Sequence, residues 1–247
     1  MIEERAARAA RLAKESDAAR EPLLFASAML EAQSKCADRL QPVTNVGAIF
    51  PLVRPILEVA VQRGPEPLAE EAKKRLAEDE STAATRLVTY WKGDITASED
   101  YLSRALLQPY AEVLRQKNQT PDRQHTRGHC PFCGGAAWIS ARKAPADAES
   151  GLRMLGCSLC GLEWNFNRIC CPSCFEEDPY KLPVFQTDAY PLVRIEACET
   201  CHRYVKSIDL TKDMRPIPAV DDLLSISMDL WAVEEGYTRI EPGMAGI

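Results

Sequence analysis

Eight of the ten cysteines in this chain stand in four pairs with two residues between the partners: Cys130/Cys133, Cys157/Cys160, Cys171/Cys174 and Cys198/Cys201. A thiolate pair at this spacing grips one cation from a tight turn whose amides also face the sulfurs. Two such turns close a four-sulfur tetrahedral shell, the shell preferred by zinc or by a single iron. The gap from Cys133 to Cys157 equals that from Cys174 to Cys198, so each cysteine of the first quartet recurs 41 positions later. The repeat extends beyond the sulfurs: Pro131 answers to Pro172, Arg153 to Arg194, and Leu152 and Met154 to the apolar Val193 and Ile195. A unit of 41 residues is therefore duplicated. Duplication favours two self-contained quartets; a cross-braced pairing, first pair with third and second with fourth, stays open on spacing alone.

Rival chemistries fit less well. A disulfide scaffold has no need of partners two residues apart, and thiols persist in a reducing compartment. A thiol oxidoreductase wants one such pair between a strand and an amphipathic helix, whereas GGAAWISARKA follows Cys133. An iron–sulfur cluster also takes four cysteines, but two short duplicated units suit one ion each. Gly134 and Gly161 follow the second cysteine of their pairs, where a turn of this kind needs positive φ. Phe175 and His202 hold that place in the second unit, so its turns read as less regular. His125, His129 and His202 flank the pairs and are weak ligand candidates beside complete cysteine shells. Cys170 reads as a mere neighbour of Cys171, and Cys36, at helical spacing with Phe25, Met29 and Ala32, as a small core hydrophobe. Each tetrathiolate shell around a divalent ion keeps a formal charge of about −2, which Arg153, Arg168, Arg194, Arg203 and Lys206 partly offset from a solvated face.

These units need a frame. The chain has 247 residues, 46% of them hydrophobic and 27% charged, enough for one or two domains with a sizeable core. A net charge of −6 demotes nucleic acid as a partner, because backbone binding rests on clustered Lys and Arg. The opening MIEERAARAARLAKES has no apolar stretch of a secretory signal, and no run of eighteen apolar residues occurs, so no membrane span and a cytoplasmic location are expected. Residues 1–118 read as successive helices without identifiable chemistry: about 3–20, 23–39, one from Pro67 to Trp91 ending near Gly93, and one starting at Thr96 with Glu99 in a capping box. Pro109 should kink or restart that last helix. Residues 119–129, polar with Pro and Gly, read as a linker. The metal units fill 130–170 and 171–210, with strands leading into Cys157 and Cys198. Residues 211–247 carry one more helix, with Asp221 and Asp222 in its first turn, Gly236 at its end, and Val220, Leu223, Leu224, Leu230 and Trp231 on one face; this acidic, partly apolar end reads as packed back onto the metal units, with a docking surface as the alternative. The expected class is α+β: a helical N-terminal domain, two tandem metal domains of rubredoxin-like or zinc-ribbon type, and a C-terminal helix.

CPFCGG, LRMLGCSLCGLEWNFNRICCPSC, RIEACETCHRYVKSID and VDDLLSISMDLWAVEEGY, in that order over residues 130–236, resemble the formate dehydrogenase accessory proteins of the FdhE type. The resemblance implies a cytoplasmic, non-enzymatic maturation factor with a helical region and two rubredoxin-like domains. It implies binding to the catalytic subunit of formate dehydrogenase and iron at the cysteine sites. By position the first ion would take Cys130, Cys133, Cys157 and Cys160, and the second Cys171, Cys174, Cys198 and Cys201. No Ser/His/Asp set, phosphate loop or open metal position argues for an enzyme. The alternative from another class is a zinc-ribbon adaptor with purely structural zinc that binds protein or nucleic acid. A homodimer is compatible with the sequence, which does not decide the oligomeric state.

Overall fold

The computed structural model describes residues 1–93, 96, 99–123, 125–144 and 151–246. Gln124, inside the expected linker, and residues 145–150, inside the first expected metal unit, lie outside the described residues, as do 94, 95, 97, 98 and 247. The chain divides into two compact units, Met1–Gln124 and His125–Ile247. The first is helical and the second contains the sheet, so the α+β class holds.

Helices α1 (Ile2–Glu15), α2 (Arg20–Ala37), α3 (Phe50–Arg63), α4 (Glu66–Ala77), α5 (Glu80–Lys92) and α6 (Tyr101–Gln116) make the first unit. The single helix expected from Pro67 to Trp91 is two. Asp79 breaks it, because its carboxylate accepts from the Thr82 N–H at 3.0 Å and caps α5. Gly93 ends α5 at φ 86. The helix expected from Thr96 begins later, at Tyr101, where Asp100 accepts from the Ser103 N–H at 2.8 Å. Thr96 and Glu99 do bond reciprocally, but in a turn ahead of that helix. Pro109 neither stops nor restarts α6. Its missing N–H deprives the Ala105 carbonyl of its helical donor, and the buried Gln33 amide supplies one at 2.8 Å from α2. Cys36 lies 3% exposed, and burial pushes its thiol pKa up, as befits a core residue.

The second unit holds β1 (Ala137–Lys143), β2 (Leu152–Cys157), β3 (Glu163–Asn165), β4 (Val184–Gln186), β5 (Val193–Cys198), β6 (Arg203–Asp209) and β7 (Thr238–Arg239) in one sheet of order β3-β2-β1-β6-β5-β4, with β7 beside β6. Each cysteine repeat contributes three consecutive strands. The pairing Leu155↔Trp164 in the first recurs as Glu196↔Val205 in the second, 41 positions on. Only the first strand slips: Ser140 faces Leu155, but Val184 faces Glu196. The two triplets join head to tail through parallel pairing of β1 with β6, Ile139↔Lys206 to Arg142↔Asp209.

After the sheet, the expected C-terminal helix is three pieces: α7 (Pro218–Asp221), a 3-10 turn (Asp222–Ser225) and α8 (Ile226–Glu234). Lys206 explains the break, since its ammonium donates to the Asp222 carbonyl at 3.0 Å and the Ser225 carbonyl at 3.2 Å. Met228 and Ala232 of α8 pack on Ile195, Ala197 and Tyr204 of the sheet, while Leu230, expected on the apolar face, is half exposed.

Candidate metal centres

The cysteine pairs sit on four turns of the same build. In three of them the residue after the second cysteine returns its N–H to the carbonyl of the first: Gly134 to Cys130 at 2.9 Å, Phe175 to Cys171 at 3.0 Å and His202 to Cys198 at 2.9 Å. That closure requires a left-handed residue, and all four positions adopt it: Gly134 at φ 68, Gly161 at 67, Phe175 at 65 and His202 at 53. The second unit's turns are therefore not irregular, contrary to the sequence expectation. The same backbone is imposed there on side chains that resist it by about 1–2 kcal/mol each.

Each returning turn brings its sulfurs to those of the turn before it. Cys130, Cys133, Cys157 and Cys160 form one group and Cys171, Cys174, Cys198 and Cys201 another, with all sulfurs of a group within 4.8 Å of one another. The pairing is tandem. Closest approaches are 3.4 Å for Cys133–Cys157, 3.6 Å for Cys130–Cys160 and Cys174–Cys198, and 3.7 Å for Cys171–Cys201. A tetrahedron with metal–sulfur bonds of ~2.3 Å has sulfurs about 3.8 Å apart, so both quartets can hold a metal ion. Backbone N–H groups face the sulfurs: those of Leu159 and Cys160 reach Cys157 Sγ, and that of Ser173 reaches Cys171 Sγ, each at 3.4 Å. The thiols are not independent acids. Cys130 is pulled far below its ordinary pKa, first by the sulfur of Cys133 and then by those of Cys157 and Cys160, whereas burial pushes Cys157 and Cys171 up. Among the described residues neither group includes a histidine. His125 approaches the Cys130 carbonyl and His129 the Thr126 hydroxyl instead.

The quartets differ in access. The four sulfur residues of the first are at most 2% exposed. In the second, Cys171 and Cys198 are buried, Cys201 is half-buried and Cys174 is exposed. Glu176 clips the two turns of this second quartet together by accepting from the Thr200 hydroxyl at 2.6 Å. Beside it lies a cavity of about 60 Å³ that touches Cys171 and Cys198 and is lined also by Cys170, Arg153, Arg194 and Glu196.

The basic residues around the centres are not all on a solvated face. Arg153 is 4% exposed: it pairs with Glu196 at 2.7 Å and donates to the carbonyls of Asn167 at 3.0 Å and Cys170 at 2.8 Å, anchoring the entry to the second quartet. Burial would raise the Glu196 pKa, but Arg153 and Arg194 hold it lowered. Cys170 is buried outside both groups.

Lys206, expected on a solvated face, is fully buried. Its ammonium lies 3.0 Å from Asp222 and in contact with Asp229. Arg239 bridges the same two carboxylates, at 2.9 Å and 3.2 Å, and donates to the Trp138 carbonyl at 3.0 Å. Tyr204 donates to Asp229 at 2.9 Å. Two anions and two cations thus join β6, β7 and the C-terminal segment behind the sheet. The sequence carries a faint trace of this: Lys206 keeps the two-residue phase of the buried Tyr204 and Ile208. Gly243 admits the network, since a Cβ there would meet Arg239 Nη1 at 2.7 Å and Asp222 Oδ2 at 2.8 Å.

The family model described as FdhE, central domain, matches residues 129–168, and that described as FdhE, C-terminal domain, matches 169–244. The Protein FdhE homolog of Aquifex aeolicus is 28% identical over 195 residues, which cover 78% of this chain and 68% of that protein. The homologue from Pseudomonas aeruginosa is 33% identical over 123 residues, 48% of this chain and 40% of that protein. That of Haemophilus ducreyi is 36% identical over 113 residues, 46% of this chain and 36% of its own. The match thus spans between about a third and two thirds of these relatives' lengths. The crystal structure of the FdhE protein from Pseudomonas aeruginosa shares the fold, with a TM-score of 0.70 over 99% of this chain and 94% of that one, at 20% identity.

Proposed function

Because the chain belongs to the FdhE family, we propose that it is a non-enzymatic accessory factor for formate dehydrogenase, acting in the cytoplasm on the catalytic subunit of that enzyme. In this reading residues 130–170 and 171–210 each hold one ion. Cys130, Cys133, Cys157 and Cys160 are the ligands of the first, and Cys171, Cys174, Cys198 and Cys201 those of the second. The physiological metal is iron; zinc satisfies the same four-sulfur shells.

One observation carries the reading: two complete sulfur quartets lie in FdhE domains. Four protein sulfurs saturate a tetrahedral ion and leave no position for a substrate, which favours holding structure or carrying electrons over hydrolysis. Among the described residues no helix is long and apolar enough to cross a membrane.

The test is anaerobic purification from the source organism, followed by metal analysis and capture of the partner. Two iron ions per chain are expected, together with a formate dehydrogenase catalytic subunit that no longer co-purifies when one cysteine pair is changed to serine. A deletion strain that retains full formate dehydrogenase activity would overturn the reading.

A further inference from the structure

We propose that the two centres have different jobs: the first quartet is a sealed structural centre, and the second is an exchange centre at which Cys174 is the sulfur that yields to an incoming ligand. This rests on the reading that both quartets hold a metal ion.

Two features separate them, access and strain. The first is access: every cysteine of the first quartet is at most 2% exposed, whereas Cys174 is exposed and Cys201 half-buried. The second quartet is also approached from behind, where the cavity of about 60 Å³ touches Cys171 and Cys198. An incoming donor must approach the coordinated ion before a sulfur leaves, so exposure decides which quartet can exchange. The last is strain. Gly134 and Gly161 accept the left-handed turn freely in the first unit, while Phe175 and His202 are held in it in the second. That strain is relieved when a turn of the second quartet opens, and the first quartet has no counterpart to it.

The step is ligand substitution without redox change. A donor atom of the incoming ligand bonds to the ion, the Cys174 Sγ–ion bond breaks, and the freed thiolate takes a proton from solvent. Repetition at Cys201, and then at Cys171 and Cys198, breaks the remaining three sulfur–ion bonds and passes the ion to the incoming ligand, each freed thiolate taking a proton from solvent.

The experiment uses the full chain loaded with two zinc ions, whose number is first confirmed by elemental analysis, and an excess of the coloured chelator 4-(2-pyridylazo)resorcinol. Transfer should occur in two phases of one equivalent each, separated by about thirtyfold or more in rate, the ratio that strain at two left-handed residues would produce if fully expressed in the barrier. Cys174→Ser should abolish or accelerate the fast phase and leave the slow one unchanged. A measurement that needs no variant runs beside it: iodoacetamide labelling of the zinc-loaded wild-type protein, mapped by mass spectrometry, should mark Cys174 before Cys130, Cys133, Cys157 or Cys160. A single phase of two equivalents, a slow phase altered by Cys174→Ser, or equal labelling of the quartets would overturn the proposal. Fewer than two bound zinc ions at the outset would instead overturn the metal reading beneath it.

Discussion

Lys206→Met tests whether the charge cluster behind the sheet is core or ornament. The ammonium is fully buried, facing Asp222 and Asp229, and both carboxylates also meet Arg239. Methionine fills similar volume but leaves one guanidinium to neutralise two carboxylates that are no more than 3% exposed. Removing one member of a buried ion set costs about 3–5 kcal/mol, because the uncompensated charge stays out of water. For a unit of this size that corresponds to a fall in Tm of about 10–20 °C. On the solvated face that the sequence first indicates, the same change would stay within about 0.5 kcal/mol. Urea unfolding of the zinc-loaded chain at fixed metal concentration, in a Trp91→Phe background so that the fluorescence comes from Trp138, Trp164 and Trp231, reads the second unit. A companion change makes the test electrostatic: adding Asp229→Asn restores one cation to one anion, with Arg239 fork-to-fork on Asp222 at 2.9 and 3.1 Å, and should recover about 1–2 kcal/mol. The two carboxylates contribute to the pH dependence with opposite signs, because burial leaves the Asp229 pKa raised, and only the Asp222 part is stabilising above its ordinary range. Burial would raise the Asp222 pKa, but Arg239 and Lys206 lower it further than burial raises it. Its contribution is therefore present above the ordinary value near ~4 and is lost as pH falls through the lower folded value. In Lys206→Met that loss should begin at higher pH. A single variant within about 0.5 kcal/mol of wild type, or a double variant less stable than the single, would refute the reasoning.

Gln33→Leu should destabilise the helical unit by about 1–3 kcal/mol in thermal unfolding, because the Ala105 carbonyl orphaned by Pro109 would lose its donor while buried. Gly135→Ala should cost the first centre its ion and spare the second, since a Cβ there would stand 2.8 Å from Cys157 Sγ and 3.3 Å from Leu159 Cβ; a metal content still at two per chain would contradict this. Stripping metal with a strong chelator should abolish the cooperative unfolding of 125–247, because metal binding of about 10–16 kcal/mol is folding energy for such modules. The helices of 1–124 should meanwhile keep most of the circular dichroism at 222 nm, and loss of that signal would contradict the division into two units.

What was legible in the sequence was whatever repeats or recurs at short range. The 41-residue period located both quartets because turn geometry ties each cysteine pair to its neighbours, and the strand pairings keep the same offset. Helix stripes were legible for the same reason, but helix ends were not. Asp79 and Asp100 each act through hydrogen bonds from the residue three positions on, and Thr96 with Glu99 offers the same local pattern although the helix starts only at Tyr101. Long-range electrostatics left almost no trace. Lys206 meets Asp222 and Asp229 across 16 and 23 residues, and Arg239 comes from beyond both; periodicity sees only a charged residue in an apolar phase. The C-terminal helix was misread for that reason, because its interruption is caused by a lysine from a strand rather than by its own residues.

The inequality of the centres has a topological origin. In a head-to-tail repeat the third strand of one unit covers the first strand of the unit before it, as β6 covers β1. Among the described residues no further strand covers the second unit's first strand, β4, which ends the sheet. Cys130 and Cys133 lead into the covered strand, whereas Cys171 and Cys174 lead into the edge strand, and it is Cys174 that emerges to solvent. Two identical sulfur shells thus differ in access because tandem copies in an open sheet cannot have equivalent surroundings. A ring or a two-fold pair would have made them alike. Whatever function needs one protected ion and one reachable ion can be met by duplication alone, with only the last copy left open.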